Sequence, residues 1–155
     1  FLAENAAFSK ACHDSNIQFI GPTAQTQKQA GDKIESRKLA ANVGVPLSPG
    51  SDRAVNAGEA VEIAQDVGYP VIIKASGGGG GRGMRIAYND AELMNFIKLS
   101  RGEASAAFNN PDLSIEKYII EPRHIEIQIL GDLHGNYIHL GERECSIQKR
   151  FQKLI

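Results

Sequence analysis

The sequence predicts a mixed α/β (α+β) protein, and three observations carry that prediction. Apolar residues recur at helical spacing in several segments, as at Ala60, Ile63, Ala64 and Val67. Short β-branched runs, of which Val71-Ile72-Ile73 is the clearest, are interleaved with those segments. From His124 onward the pattern changes to alternation, with Ile125, Ile127 and Ile129 facing one way and Glu126, Gln128 and Leu130 the other, as in an antiparallel hairpin.

The elements follow in order. Ala7, Phe8, Ala11 and Cys12 mark a helix over residues 4–15. A short strand is expected over 17–20, stopped by Gly21-Pro22, so this start reads as the tail of an α/β unit. Thr23 caps a helix reaching residue 30, and Asp32 caps another that Gly44-Val45-Pro46 ends. Polar residues 49–56 form a candidate boundary. Then come a helix over 57–67, the turn Gly68-Tyr69-Pro70, a strand over 71–75 and a second strand over 84–87. Asp90 caps a helix through Leu93, Phe96, Ile97 and Leu99, and a strand is expected over 113–118. The hairpin turns over 131–136 and returns over 137–140, with a further strand expected from 142 to 146.

Composition narrows the function classes. At 155 residues the chain holds one domain or pieces of two. Its formal net charge of -1, without a basic run, gives no nucleic-acid footprint. No apolar stretch approaches the ~20 residues of a membrane span, and Phe1-Leu2-Ala3-Glu4-Asn5 is no signal peptide. Cys12 and Cys145 lie far apart and outside any C-x-x-C, which reads as two free thiols in a reducing cytosol. Both ends read as cut, so a longer parent polypeptide is expected.

The chemistry centres on Lys74. It ends an apolar strand and is followed by Ala75-Ser76 and five consecutive glycines, Gly77 to Gly81. Glycines bury no side chain and lose the most backbone freedom on ordering, so such a run is not there for packing. It offers backbone N–H groups that can close over an anion, and Lys74 adds a cation on a buried stem. A flexible linker is the plain alternative, but a linker does not normally join two strands. The pattern is neither a P-loop nor a G-x-G-x-x-G that opens a helix. Lys33, at a helix start, is a surface charge or a second phosphate ligand, and its position alone does not choose. The strand through Glu116, Lys117, Tyr118 and Ile119 reads as an ordinary edge strand or as one offering backbone groups to an adenine edge. His124, Glu126 and Gln128 share one strand face by the period of two, either lining a cleft or facing solvent. Lys149, Arg150 and Lys153 fall among Gln148, Phe151 and Gln152, a mixture that suits a small anion as well as a bare surface.

Four segments taken together resemble the biotin carboxylase family of the ATP-grasp superfamily. They are the Lys74-Ala75-Ser76-glycine-Arg82-Gly83-Met84-Arg85 run, Glu116-Lys117-Tyr118, Arg123 through Gln128, and Arg143-Glu144-Cys145-Ser146-Ile147-Gln148, in the family's order and near its spacing. The resemblance implies an ATP-grasp fold. Residues 1–48 would end an N-terminal α/β domain, 49–120 would form the small lid subdomain, and 121–155 would start the large antiparallel sheet. It implies that Lys33 and Lys74 contact ATP phosphates, that Gly80 and Gly81 close over them, and that Glu116, Lys117, Tyr118 and Ile119 form the adenine strand. His124 and Gln148 would lie around the nucleotide, and Lys153 would hold bicarbonate. The implied reaction is ATP-dependent carboxylation of carrier-bound biotin through carboxyphosphate. The implied partners are a biotin carboxyl carrier, a carboxyltransferase and a second copy in a homodimer, in the cytoplasm or a mitochondrial matrix. The family's magnesium ligands and catalytic groups would lie beyond Ile155, so no metal site and no catalytic residue is expected here. Phe151 stands where the family usually has histidine, and phenylalanine cannot donate to a ribose hydroxyl. A non-catalytic ATP-grasp nucleotide-binding module and a carbamoyl-phosphate-synthetase-like ligase are the alternative readings.

Overall fold

The computed structural model describes residues 2–77, 84–149 and 152–153, and it falls into two compact units that meet in sequence at Tyr118 and Ile119. In the first unit, a short 3₁₀ turn at Leu2–Glu4 precedes α1 (Ala6–Asp14), α2 (Ala24–Gly31) and α3 (Lys33–Asn42). Each helix starts on a side-chain cap. Asn5 accepts from the Ala7 and Phe8 N–H groups, Thr23 from Thr26, and Asp32 from Ile34 and Glu35. The strand expected over 17–20 does not form. The Ile17 N–H bonds back to the Cys12 carbonyl at 2.8 Å, and Ile20 is 94% exposed. Extended residues become a strand only with a ladder partner, and this segment has none among the described residues.

Helix α4 (Ala57–Val67) opens on a capping box, in which Asn56 and Glu59 exchange side-chain and backbone bonds. It leads to β1 (Val71–Ala75), β2 (Arg85–Ala87), the long α5 (Asp90–Phe108) and β3 (Leu113–Lys117). Asn89, rather than the expected Asp90, is the N-cap of α5. The helix runs on past Leu99 until Asn109 takes a left-handed conformation at φ 52°.

The three strands make one antiparallel sheet in the order β2-β1-β3. The register pairs Val71 with Lys117, Ile73 with Ile115 and Ala75 with Leu113. Because strand side chains alternate, Val71, Ile73, Ala75, Leu113 and Ile115 share one face. There they pack with Ala60 and Ala64 of α4 and with Leu93, Ile97 and Ala104 of α5, all at most 2% exposed. The opposite face carries Lys74, Ser114 and Glu116. That division follows from the sequence period, and it puts the polar chemistry on the side away from the α4–α5 core.

Loop residues 49–55 cover the outer edge of β3. Pro49 accepts from the Lys117 N–H at 2.7 Å, Ser51 exchanges bonds with Ile115, and the Val55 N–H donates to Leu113. The loop lies so close that a Cβ on Gly50 would come within 2.3 Å of the Ile115 carbonyl oxygen. Only glycine fits there.

The second unit contains the expected hairpin, β4 (Ile125–Gly131) with β5 (Tyr137–Glu144), and a two-residue pair, β6 (Gln148–Lys149) with β7 (Gln152–Lys153). Strand β5 is longer than expected. Residues 142–144 continue it instead of starting a new strand. The register slips by one residue between the Ile127–Glu142 and Ile129–His139 pairs. Gly141, at φ 89°, lies in the extra stretch and supplies the backbone a bulge requires. Asp132 closes the turn by accepting from the His134 and Asn136 N–H groups and from the Asn136 side chain. Among the described residues no helix is long and apolar enough to cross a membrane.

Candidate functional site

The end of β1 is where the chemistry collects. Lys74 is the fourth of five strand residues and points off the core face, with its side chain 24% exposed. Its Nζ lies 2.9 Å from Oε2 of Glu116, two strand positions diagonal on β3. The same Oε2 accepts from the Ser48 hydroxyl at 2.7 Å and faces Nη1 of Arg37 at 3.2 Å. The second Arg37 terminal nitrogen donates to the Ser48 carbonyl at 2.8 Å. Burial opposes ionisation of Glu116. The bonds from Lys74 and Ser48 and the charges of Lys74 and Arg37 outweigh it and hold the carboxyl below its ordinary pKa.

Helix α3 brings a second lysine to the same place. Lys33 donates from Nζ to the Ala75 carbonyl at 3.0 Å, and its backbone N–H to the Ser76 carbonyl at 3.3 Å. Burial and the nearby Lys74 charge push the Lys33 pKa down, with Asp32 and Glu116 partly offsetting them. Asp32 receives the Ser76 hydroxyl at 2.9 Å while capping α3. Burial works against its ionisation, but the bonds from Glu35, Ser76 and Ile34 hold its pKa below the usual carboxylate range. Two lysines that repel one another at the mouth of a glycine run form a site that an anion would relieve. Ser114, opposite Lys74 in register, is fully buried, and its hydroxyl has no hydrogen-bond partner among the described residues.

The remaining candidate residues are placed as follows. Gly80, Gly81 and Phe151 lie outside the described residues, and of Lys153 only the backbone is described, in β7. Lys117 emerges on the core side of β3, and its Nζ donates to the Gly68 and Tyr69 carbonyls at 2.9 and 2.8 Å. Its N–H and that of Tyr118 are taken by the Pro49 and Pro70 carbonyls. These two backbone donors are therefore already used inside the first unit. Ile119 is 57% exposed. In the second unit the Gln148 amide nitrogen lies 3.0 Å from Nδ1 of His124, so these two residues, far apart in sequence, do meet. Three bonds fix that pairing: the Cys145 N–H donates to the His124 carbonyl, the His124 N–H donates to Ser146 Oγ at 2.8 Å, and the Gln148 amide donates to the Cys145 carbonyl. Glu144 binds Ser146 and Arg123, and these bonds pull its pKa down to about 2. Glu126 and Gln128 both reach Arg143 across the hairpin, at one face as the period of two requires.

Arg37, Ser48, Asp32 and Ser76 are absent from the sequence-based candidates. One of them had a readable signal: Arg37 is four residues after Lys33, hence on the same helix face. Ser48 had none, because only the folded loop brings it to Glu116.

The family described as carbamoyl-phosphate synthase L chain, ATP binding domain, matches residues 32–155. The chain belongs to that family. Within this ATP-binding family the chain is similar to biotin carboxylase of Pseudomonas aeruginosa, 52% identical over 157 residues, covering 100% of this chain and 35% of that protein. Mitochondrial pyruvate carboxylase of Rattus norvegicus is 48% identical over 156 residues, covering 100% of this chain and 13% of its own length. Solved structures match the fold, and two of them are informative. The biotin carboxylase domain dimer of Hydrogenobacter thermophilus 2-oxoglutarate carboxylase, in complex with MgADP, ADP and bicarbonate, has a TM-score of 0.91 at 51% identity, over 99% of this chain and 34% of that one. A biotin carboxylase–β,γ-ATP complex from Campylobacter jejuni has a TM-score of 0.92 at 46% identity, over 99% and 35%. The fold is ATP-grasp. The chain spans about a third of the length of the biotin carboxylases it matches.

Proposed function

We propose that this chain forms the phosphate-gripping part of a biotin carboxylase, which carboxylates biotin with ATP and bicarbonate. The observation that carries the reading is the convergence of the Lys33 and Lys74 ammonium groups on the end of β1, where the glycine run begins. Residues 1–48 close the N-terminal domain, 49–120 form the lid and 121–155 start the large ATP-grasp sheet. Lys33 and Lys74 bind ATP phosphates with the amides of Gly80 and Gly81. Glu116, Lys117, Tyr118 and Ile119 run beside the adenine. His124 and Gln148 flank the nucleotide, and Lys153 holds bicarbonate.

In the reaction, a bicarbonate oxygen forms a bond to the γ-phosphorus as the bond to the β–γ bridging oxygen breaks, giving carboxyphosphate and ADP. The carboxyl carbon of carboxyphosphate then bonds to a biotin nitrogen as its C–O bond to phosphate breaks, and the departing phosphate takes up the proton that the nitrogen gives up. The lysines act by position and charge, binding the phosphates and offsetting charge on the transferred group. Among the described residues no group of three His, Cys, Asp or Glu side chains is placed to hold a metal ion. A biotin carboxyl carrier supplies the biotin, a carboxyltransferase takes the product, and the enzyme is a cytoplasmic homodimer.

The test is ADP release by an enzyme of the relatives' length that contains these residues. Turnover is expected to need both bicarbonate and biotin. Bicarbonate-dependent cleavage indifferent to biotin would move the reading to a carbamoyl-phosphate-synthetase-like ligase. Nucleotide binding without cleavage would leave a binding module.

A further inference from the structure

Two hydrogen-bond donors and a guanidinium charge converge on a single oxygen of Glu116, and Arg37 Nη1 itself donates to Ser48 Oγ at 3.3 Å. Ser48 Oγ is at 2.7 Å, Lys74 Nζ at 2.9 Å and Arg37 Nη1 at 3.2 Å from Oε2. A carboxylate oxygen has two lone pairs, which Ser48 and Lys74 fill, so Arg37 acts on Glu116 through its charge and through Ser48. The charge on Glu116 is over-supplied, with two full cations, Lys74 and Arg37, against one carboxylate. Glu116 is 8% exposed and cannot be left bare, because an unpaired buried charge is costly.

We propose that Arg37 and Ser48 are positioning residues that hold Glu116 so that Lys74 can turn from the carboxylate to a phosphate oxygen. Arg37 keeps Glu116 paired when Lys74 leaves, and its charge offsets the repulsion between Glu116 and the arriving anion. Both residues are well placed for this. Arg37 lies one turn along α3 from Lys33, so a single helix presents a phosphate lysine and the counter-charge. Its Nη2 is tied to the Ser48 carbonyl at 2.8 Å. Ser48 in turn is fixed by the next two residues, through the Pro49 bond to Lys117 and the Gly50–Glu116 bridge. Without Arg37, Glu116 would depend on Lys74, and ATP would have to win the lysine from a buried carboxylate.

The inference rests on Lys74 being a phosphate ligand, and the test separates the two. Steady-state kinetics are measured on the full-length enzyme. Arg37→Met is expected to raise the KM for ATP about tenfold, the scale of one charged hydrogen bond, with kcat changed by less than about twofold. Arg37→Lys restores most of the loss, and Ser48→Ala gives a smaller rise in the same direction. In an E116Q background the added effect of R37M falls to within about twofold, since no charge is left to hold. An R37M effect of the same size with and without Glu116→Gln overturns the proposal, as does a lowered melting temperature with an unchanged KM in R37M, R37K and S48A alike. If Lys74→Met leaves the KM for ATP unchanged, the phosphate reading itself fails and takes this inference with it. If K74M raises the KM and R37M does not, only the inference fails.

Discussion

Lys74→Met is expected to raise the KM for ATP by about tenfold to a hundredfold, the equivalent of one charge-assisted hydrogen bond lost. The fold should survive the change. Methionine keeps the length and apolar stem of lysine, and Glu116 retains Ser48 and Arg37 as partners. The melting temperature should therefore move far less than the KM. The measurement is ATP saturation kinetics beside a thermal melt, both on the full-length enzyme. A KM within twofold of the original, on the scale set by the thermal energy, would remove Lys74 from the phosphate site.

Ile73→Ala should do the reverse. Ile73 is fully buried, next to Lys74 on the chain and on the opposite face of β1. Its truncation leaves a hole among residues from β3, α4 and α5, and such changes cost about 2–5 kcal/mol. The shift should appear in the urea midpoint and in faster amide exchange along β1. Full-strength stability after this change would mean that the sheet's helix-covered face is not the core of the first unit. The two adjacent residues thus separate the core face of one strand from the face proposed to bind.

The sequence marked the strand and its terminal lysine. Lys74 stood out at the end of an apolar run and next to five glycines, while its place on the face away from the core came from the pairing of β1 with β3. The caps Thr23 and Asp32 were legible because they act within a few residues of themselves, while the α5 cap fell one residue earlier, on Asn89 rather than Asp90. What escaped was whatever depends on distant partners. Residues 17–20 look like a strand by composition but have no ladder among the described residues. The β5 bulge at Gly141 hides in a register that only β4 can define. The cluster of partners around Glu116 joins α3, the loop at Ser48 and two strands, a junction of residues up to 79 positions apart in the chain. Of the candidate site, the sequence marked Lys33, Lys74, His124 and Gln148 singly, while the His124–Gln148 contact and the residues that brace Lys74 and Glu116 came from the fold.

The central claim is that the end of β1 grips the phosphates of ATP. The most direct test is a crystal structure of the full-length enzyme with a non-hydrolysable ATP analogue. The account predicts Lys33 Nζ and Lys74 Nζ within about 3 Å of phosphate oxygens, the usual reach of a charged hydrogen bond, with Glu116 still held by Arg37 and Ser48. A nucleotide bound with its phosphates away from both lysines, and Lys74 still closed on Glu116, would contradict it.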